Sequence, residues 1–591
     1  MSAKAHGQLG GAQVLPGGGV RFRLWAPGCE IIGLALDGAA PRPMQRGDDG
    51  WHTLEAAEAR AGSLYRYVLP DGRDVPDPGS RFQPQDVAGP SEVIDPAAYD
   101  WTVDWTVRPW AEIVLYELHV GAFTPEGTFR AAIGRLDHLA RLGVTGIEIM
   151  PVWDFPGARN WGYDGVLPYA PDSSYGRPED LKALVEAAHA RGIAVLLDVV
   201  YNHFGPEGNF LPLYAPAYFD DSQQTPWGAA VNFSGPGCGT VRALTIDNAL
   251  YWLDEFDLDG LRLDAVHAII DHGPRHILDE LAETVRARIG RPVHLIVEDE
   301  DNQAHRLIRD GDGAPRLYTA QWNDDVHHVL HVAATGEDEG YYVDYAGKGE
   351  RLARALAEGF AFQGEVMPFR GSPRGEPSGH LPPQAFVGFI QNHDQVGNRA
   401  FGERIGALAE PRAVRAIAAV YLLAPQVPML FMGEEWGAAQ PFPYFCDFGG
   451  ELGQAIRDGR RKEFQRFQAF QDPKSRERIP DPLAEATFRS AKLDWDAVDP
   501  DHLALYHALI ARRRERIIPL IPHITHGGRG EVLGPAAVRV SWTTDDGQRL
   551  TLEANLSDQP VSTPAPEGEV IWLENADPDG LGPWCVRWSL A

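Results

Sequence analysis

Three stretches of the chain, IVLYELHV (113–120), TGIEIMPV (145–152) and IAVLLDVV (193–200), are near-continuous apolar runs. Such runs predict strands covered on both faces, as in a parallel sheet. Between the second and third, DLKALVEAAHARG places Leu181, Leu184, Val185 and Ala188 on one helical face, with Gly192 at the C-terminal end. The pattern predicts a βαβ unit. Five further runs read as strands: DGLRLDAV (259–266), VHLIVEDE (293–300), RLYTAQWN (316–323), AFVGFIQNHD (385–394) and VPMLFMGEE (427–435). Eight strands interleaved with helical patterns over about 400 residues predict a (β/α)₈ barrel with insertions. A doubly wound open sheet is the alternative, but no G-x-G-x-x-G or Walker loop follows any strand, which counts against a nucleotide-binding version. The first hundred residues instead alternate with period 2, in VRFRLWAP (20–27) and IIGLALDG (31–38), with turns at PDGRD and PDPGS. After the helix-like LALYHALIARRRERI (503–517), alternation returns in VRVSWTT (538–544) and RLTLEANL (549–556). Both ends therefore predict β modules.

Composition removes several function classes. With 44% hydrophobic residues and 16 tryptophans in 591 residues, the chain is built for packed cores. A formal net charge of −30 would repel nucleic acid and anionic membranes, so the expected substrate is neutral. Cys29, Cys238, Cys446 and Cys585 are scattered without metal-ligand spacing and read as reduced thiols, which favours the cytoplasm. The N-terminal MSAKAHGQLGG has no secretory apolar region, and the most apolar long window, AIAAVYLLAPQVPMLFM, is broken by Pro425, Gln426 and Pro428. No membrane span is expected.

Candidate chemistry lies where the apolar runs stop, since a barrel's active site lies at the C-terminal ends of its strands. The stops repeat one type: Asp198 and Asn202-His203, Asp264, Glu298, and His393-Asp394. Singly each could be a helix cap or an ion-pair partner. Together they suggest carboxylates converging on one mouth. In GLRLDAVH (260–267), Arg262 and Asp264 alternate with apolar residues, which would set a fixed positive charge beside Asp264 and hold it ionised. A neighbouring carboxyl would keep its proton more readily, and one carboxylate with one carboxylic acid is what glycoside hydrolysis needs. The connection WDFPGARNWGYDGVLPYAPDSSYGRPED is rich in aromatics and prolines and reads as a long segment without regular structure. Such segments are usually functional, so its rings could stack on sugars or simply pack the loop.

LLDVVYNH (196–203), GLRLDAVH, the IVED segment around Glu298 and FIQNHD (389–394) resemble, in order and spacing, the four sequence regions of the α-amylase family, glycoside hydrolase family 13. The resemblance implies an immunoglobulin-like β-sandwich over 1–105, a catalytic (β/α)₈ TIM barrel over 106–520 and a C-terminal β-sandwich over 521–591. It implies Asp264 as nucleophile, Glu298 as general acid/base and Asp394 as the third carboxylate. Strand alternation from Leu295 permits Glu298 or Glu300, and the motif position selects Glu298. Arg262, His203, His267, His393, Tyr163, Gln395 and Asn398 would bind substrate, as would Asn323, Asp324, Asp325 and His327 of QWNDDVHH (321–328). Many members hold calcium near the first motif, with Asn202 a possible remnant ligand, but no complete oxygen-ligand set is visible, so neither metal nor cofactor is expected. YELHVGAFTPEGTF (116–129), RNWGYDGVLPYAP (159–171), VYNHFGPEGN (200–209), QNHDQVGNRAFGERI (391–405) and FMGEEWGAAQPFPYF (431–445) resemble the trehalohydrolase subfamily. That implies maltooligosyl trehalose as substrate, with trehalose and a maltooligosaccharide as products. Glycogen branching enzyme, which shares YELHVG, is the competing resemblance.

Overall fold

In the computed structural model, which describes residues 4–576 and 580–591, the eight apolar runs close into one parallel barrel. Its strands are β1 (Leu115–Leu118), β2 (Gly146–Ile149), β3 (Ala194–Val199), β4 (Gly260–Leu263), β5 (His294–Val297), β6 (Ala320–Trp322), β7 (Phe386–Gly388) and β8 (Val427–Phe431), each hydrogen-bonded to its sequence neighbour, with β8 returning to β1. One side-chain set points inward: Leu115, Leu196, Ile296, Trp322, Val387 and Met429 pack together inside the barrel. The alternate set, including Ile147, Leu197, Leu261 and Leu263, belongs to the larger core shared with the surrounding helices. This two-sided burial is why the strands read as continuous apolar runs.

Towards the mouth the inward positions turn polar. Glu117 on β1 lies level with Glu148 on β2, and Asp198 on β3 lies level with Arg262 on β4, all four buried. Four adjacent strands thus carry ionisable side chains into the barrel just below its C-terminal rim.

The N-terminal module has two antiparallel sheets, with Phe22 of one against Tyr65 of the other at 4.8 Å between ring centroids. Arg81 ties it to the barrel by donating from Nη2 to Glu255 at 2.9 Å, at the end of the helix Cys238–Glu255, with both groups buried. The C-terminal β module is, among the described residues, a single five-stranded antiparallel sheet. Its second layer comes from barrel helices: Trp588 donates to the Ala419 carbonyl at 2.9 Å, and Gly530 lies against Ala353. The connection after β2 departs from the expected structureless loop, because Trp153–Asp154 pairs antiparallel with Leu167–Pro171. Buried Trp153, Phe155, Trp161 and Tyr169 give that ribbon a local core, so these aromatics pack the insertion itself. No described helix is long and apolar enough to cross a membrane.

Gly260 opens β4 where backbones crowd: a Cβ there would stand 2.1 Å from the His294 carbonyl oxygen of β5. Gly260→Ala should therefore push β4 from β5 and lower stability by about 1–3 kcal/mol, as overpacking does. Thermal unfolding compared with Gly290→Ala, where a Cβ meets nothing within 4 Å, would check this.

Candidate active site

Arg262 is fully buried and organises the barrel mouth. Its Nη1 donates to Asp198 Oδ2 and to Asp264 Oδ1, each at 2.7 Å, and Nη2 lies 3.7 Å from Glu298 Oε2. The guanidinium lies over the Trp322 ring, 4.0 Å from its centroid, so its open face is covered by a π-system instead of water. β3, β4 and the end of β5 thus each present a carboxyl group to one cation.

The environments differ. Burial pushes Glu298 up to about 6 despite Arg262, with Asp264 adding to the rise. Its Oε2 accepts the Ala265 N–H at 2.6 Å. Ala265 has φ 41°, in the left-handed region, so the chain just after Asp264 is held in a strained turn that aims this N–H at Glu298. Burial likewise raises Asp198 to about 7, against Arg262, and the Tyr163 hydroxyl donates to it at 2.6 Å. Glu300, the alternative acid, is 59% exposed beside His267 at the rim, whereas Glu298 is 16% exposed and turned towards Arg262.

On the opposite wall, His393 bonds through Nδ1 to Glu117 Oε1 at 2.6 Å, and its Nε2 lies 3.4 Å from Asp394. Burial opposes its charge, but Asp394 and Glu117 outweigh it and raise the imidazole to about 9. Tyr163 stacks on this ring at 5.0 Å, and its carbonyl meets His203 Nε2 at 2.9 Å. Trp227, at the tip of the hairpin Phe219–Thr225/Gly228–Val231, stacks on His203 at 4.6 Å.

A cleft of about 430 Å³ opens from these groups, and Glu298, Asp324, Asp394, Gln395 and Asn398 line it. Asp264, Arg262, Tyr163, His203 and His393 gather around the same carboxyl groups at its floor, and His267 Nδ1 accepts the Glu300 N–H at 3.2 Å. Asn323, Asp325 and His327 turn away from the cleft. Asn323 caps the helix Asp324–Thr335 and donates to the Gly359 carbonyl at 2.9 Å. Asp325 receives Arg374, Tyr345, Asn302 and Ala361, and Arg374 leads these in holding it below its ordinary value against burial. His327 bonds to the Ile390 carbonyl at 2.8 Å in the interior. The cause is helix geometry: residues four apart share a face, so Asp324 looks into the cleft with His328. His328 was therefore readable from QWNDDVHHVLH once the helix start was known. Trp322, Tyr341, Tyr345, Phe369 and Arg374 complete much of the wall, and Trp227 joins the floor, none with a sequence signal of its own. Among the described residues, no three or more His, Cys, Asp or Glu are gathered as a metal site requires, and no such set surrounds Asn202.

Residues 81–222 match the family described as alpha amylase, catalytic domain, and residues 525–588 match a domain of unknown function, DUF3459. The chain is 42% identical to the malto-oligosyltrehalose trehalohydrolase of Saccharolobus solfataricus over 84% of this chain and 85% of that one. To that of Deinococcus radiodurans it is 43% identical, over 92% and 88% respectively. The chain belongs to the malto-oligosyltrehalose trehalohydrolase family. A crystal structure of a protein described as an alpha amylase from Salmonella typhimurium superposes with a TM-score of 0.95 at 46% identity, covering 99% of this chain and 100% of that one. The competing resemblance is weaker: a glycogen branching enzyme from Rhodococcus jostii is 34% identical over only 43% of this chain and 37% of its own. As a family member, the chain carries the glycosidase barrel with the carboxyl cluster at its mouth.

Removing the Arg262 charge would leave Asp198 and Asp264 buried without their cation. Arg262→Met should cost about 3–5 kcal/mol, the usual penalty for breaking a buried pair from one side. The thermal midpoint, compared with that of Arg262→Lys, would show whether charge or side-chain volume carries the loss.

Proposed function

We propose that this trehalohydrolase-family chain hydrolyses the α-1,4-glucosidic bond next to the terminal trehalose of maltooligosyl trehalose, releasing trehalose and a maltooligosaccharide. The observation that carries the reading is two carboxyl groups sharing Arg262 at adjacent strand ends, in a chain 42% identical to a trehalohydrolase over 84% of its length. Asp264 attacks the anomeric carbon while Glu298 gives its proton to the departing oxygen, so trehalose leaves as a neutral alcohol and the remaining chain becomes a glycosyl ester of Asp264. A water then gives its proton to Glu298 and attacks the same carbon. The Asp264 ester bond breaks, and the anomeric configuration is retained. Asp394 and His393 hold ring hydroxyls of the attacked sugar, with Tyr163 and His203 beside them.

The acid must touch the oxygen that leaves, so the leaving group belongs on Glu298's side. The cleft adjoins that side: Glu298, Asp324 and Arg374 line it, with Asp394 where it meets the attacked sugar, and Asp264 does not. Trehalose, joined through both anomeric carbons, is a bent disaccharide with no reducing end, suited to a walled cleft of rings and charged groups. Cys29, Cys238 and Cys446 take part in no disulfide, which suits a reducing cytoplasm, and the acidic chain suits a neutral saccharide rather than nucleic acid.

Because Glu298 must carry its proton to act as acid, and that proton is held up to about pH 6, kcat/KM should decline above about 6. Glu298→Gln and Asp264→Ala should each remain folded with turnover reduced at least about 10³-fold. A pH–rate profile of the wild type with single-turnover assays of both variants tests the assignment, and near-normal rates in Glu298→Gln with loss in Glu300→Gln would move the acid to Glu300.

Plain maltopentaose should be a poor substrate, since polar groups shaped for trehalose would stay unpaired at about 1–3 kcal/mol each, or roughly 10²-fold in kcat/KM for two. The measurement compares maltotriosyl trehalose with maltopentaose and identifies the products by chromatography. Equal kcat/KM values would place the chain with general amylases, and α-1,6 branches formed from amylose would make it a branching enzyme.

A further inference from the structure

We propose that Glu117 is a positioning residue: from beneath the site floor it fixes the ring of His393 and keeps it charged, so that the His393 Nε2–H faces Asp394 and the sugar held beside it. The inference deepens the proposed hydrolytic reading, and only its kinetic arm rests on that reading.

Glu117 sits at an inward position of β1, 1% exposed, paired with Glu148 of β2 and outside the cleft lining. Burying an ionised carboxylate costs several kcal/mol unless it is paired, so a purely structural β1 would carry an apolar residue here, as it does at Leu115. Glu117 is engaged twice by a single residue. Its Oε2 accepts the backbone N–H of His393 at 3.0 Å, and its Oε1 meets the ring Nδ1 at 2.6 Å. The two contacts fix both the start of the helix His393–Gly397 and the rotation of the imidazole, which leaves Nε2 as the nitrogen turned to Asp394. Tyr163 stacks on the ring at 5.0 Å, and the Trp161 edge meets it at 5.5 Å, so its plane has no freedom to tilt.

The surrounding charges show why Glu117 is needed. Facing His393 are Asp394 on its own helix, Glu148 from β2, Asp198 from β3, Arg262 from β4, and His119 just after β1. Arg262 opposes a second cation, and so does burial. Glu148 offers little help: neither of its carboxyl oxygens has a hydrogen-bond partner, and burial followed by the proximity of Glu117 pushes it well up, towards its neutral acid. Glu117 and Asp394 therefore remain as the acids in contact with the ring, one at each nitrogen. Asp394 is also the residue proposed to grip sugar hydroxyls, whereas Glu117 holds the other ring nitrogen from a position outside the cleft lining.

Glu117→Gln isolates this role. The amide keeps the shape, accepts the same backbone N–H and can donate to Nδ1, but it removes the negative charge. With histidine labelled by ¹⁵N and the His393 signals identified by their loss in His393→Gln, wild type should show both ring nitrogens protonated at pH 7.5 and Glu117→Gln a neutral ring. On maltotriosyl trehalose, kcat should fall about 10-fold or more with KM changed less than about 3-fold. Glu117→Asp, which restores the charge, should recover protonation and part of kcat. A neutral His393 in wild type, a protonated one in Glu117→Gln, or a full kcat in that variant would each overturn the proposal. Should Glu117→Gln fail to fold, the wild-type spectrum and the Glu117→Asp enzyme still decide it. A wild type that does not cleave maltotriosyl trehalose would refute the proposed function while the spectra still judged the charge of His393.

Discussion

A cation sealed inside a barrel is the constraint on which the rest of this mouth depends. Arg262 has no exposed surface, and taking a guanidinium out of water costs several kcal/mol that only close acceptors can offset. Asp198 and Asp264 supply them at 2.7 Å, and the Trp322 face covers what remains. Neither Nε nor Nη2 has a hydrogen-bond partner in the protein, so the offset is incomplete and part of the charge stays directed at Glu298. Three strand ends must meet at one point because a single side chain requires their carboxyl groups.

Burial and this cation pull against each other at two of those carboxyl groups: burial raises Asp198 to about 7 and Glu298 to about 6, and Arg262 opposes the rise at both. Glu298, at 3.7 Å and with Asp264 adjacent, stands at about 6, close to where a proton donor is useful. Across the mouth, the pairing of His393 with Glu117 sets a second positive charge next to Asp394. Two buried cations, each backed by an acid that never meets the cleft, Asp198 behind Arg262 and Glu117 behind His393, hold a pattern that water would otherwise screen.

Most of this was legible in the sequence, for a physical reason. A strand buried on both faces admits charge only where the barrel opens, so ionisable residues ending apolar runs, such as Asp264 and Glu298, announce the mouth, and all eight runs lie in the barrel. What stayed hidden depends on where elements begin and on contacts between distant segments. In QWNDDVHH the residue types gave no helix start, and with Asn323 as the cap it is Asp324 and His328, rather than Asp325 and His327, that reach the cleft. The segment after β2 read as lacking regular structure because the ribbon that orders it pairs Trp153 with Pro171, a contact no local period encodes. Trp227 arrives over His203 from a hairpin of mostly polar residues, and nothing in its own neighbours foretells that stack.

The division between floor and wall locates specificity. On the proposed reading, the floor, built on strands β1 to β5 and the His393–Asp394 segment, addresses features that every α-1,4-glucan shares: an anomeric carbon, ring hydroxyls and a leaving oxygen, none of which distinguishes trehalose from maltose. The wall comes from other parts of the chain: the helix that starts at Asp324, the segment from Tyr341 to Arg374, and Phe467. Asp324 is the informative member. Burial, with Glu298 next in effect, raises it to about 8, so near neutral pH it is an acid that donates one hydrogen bond and accepts others. A hydroxyl in fixed orientation can satisfy such a group, whereas a wrongly placed one leaves it buried and unpaired, the condition under which discrimination becomes large. On the proposed reading, chemistry and selectivity are therefore set by separate elements that meet at Glu298, and the wall could change its preferred leaving group without disturbing the charges around Arg262.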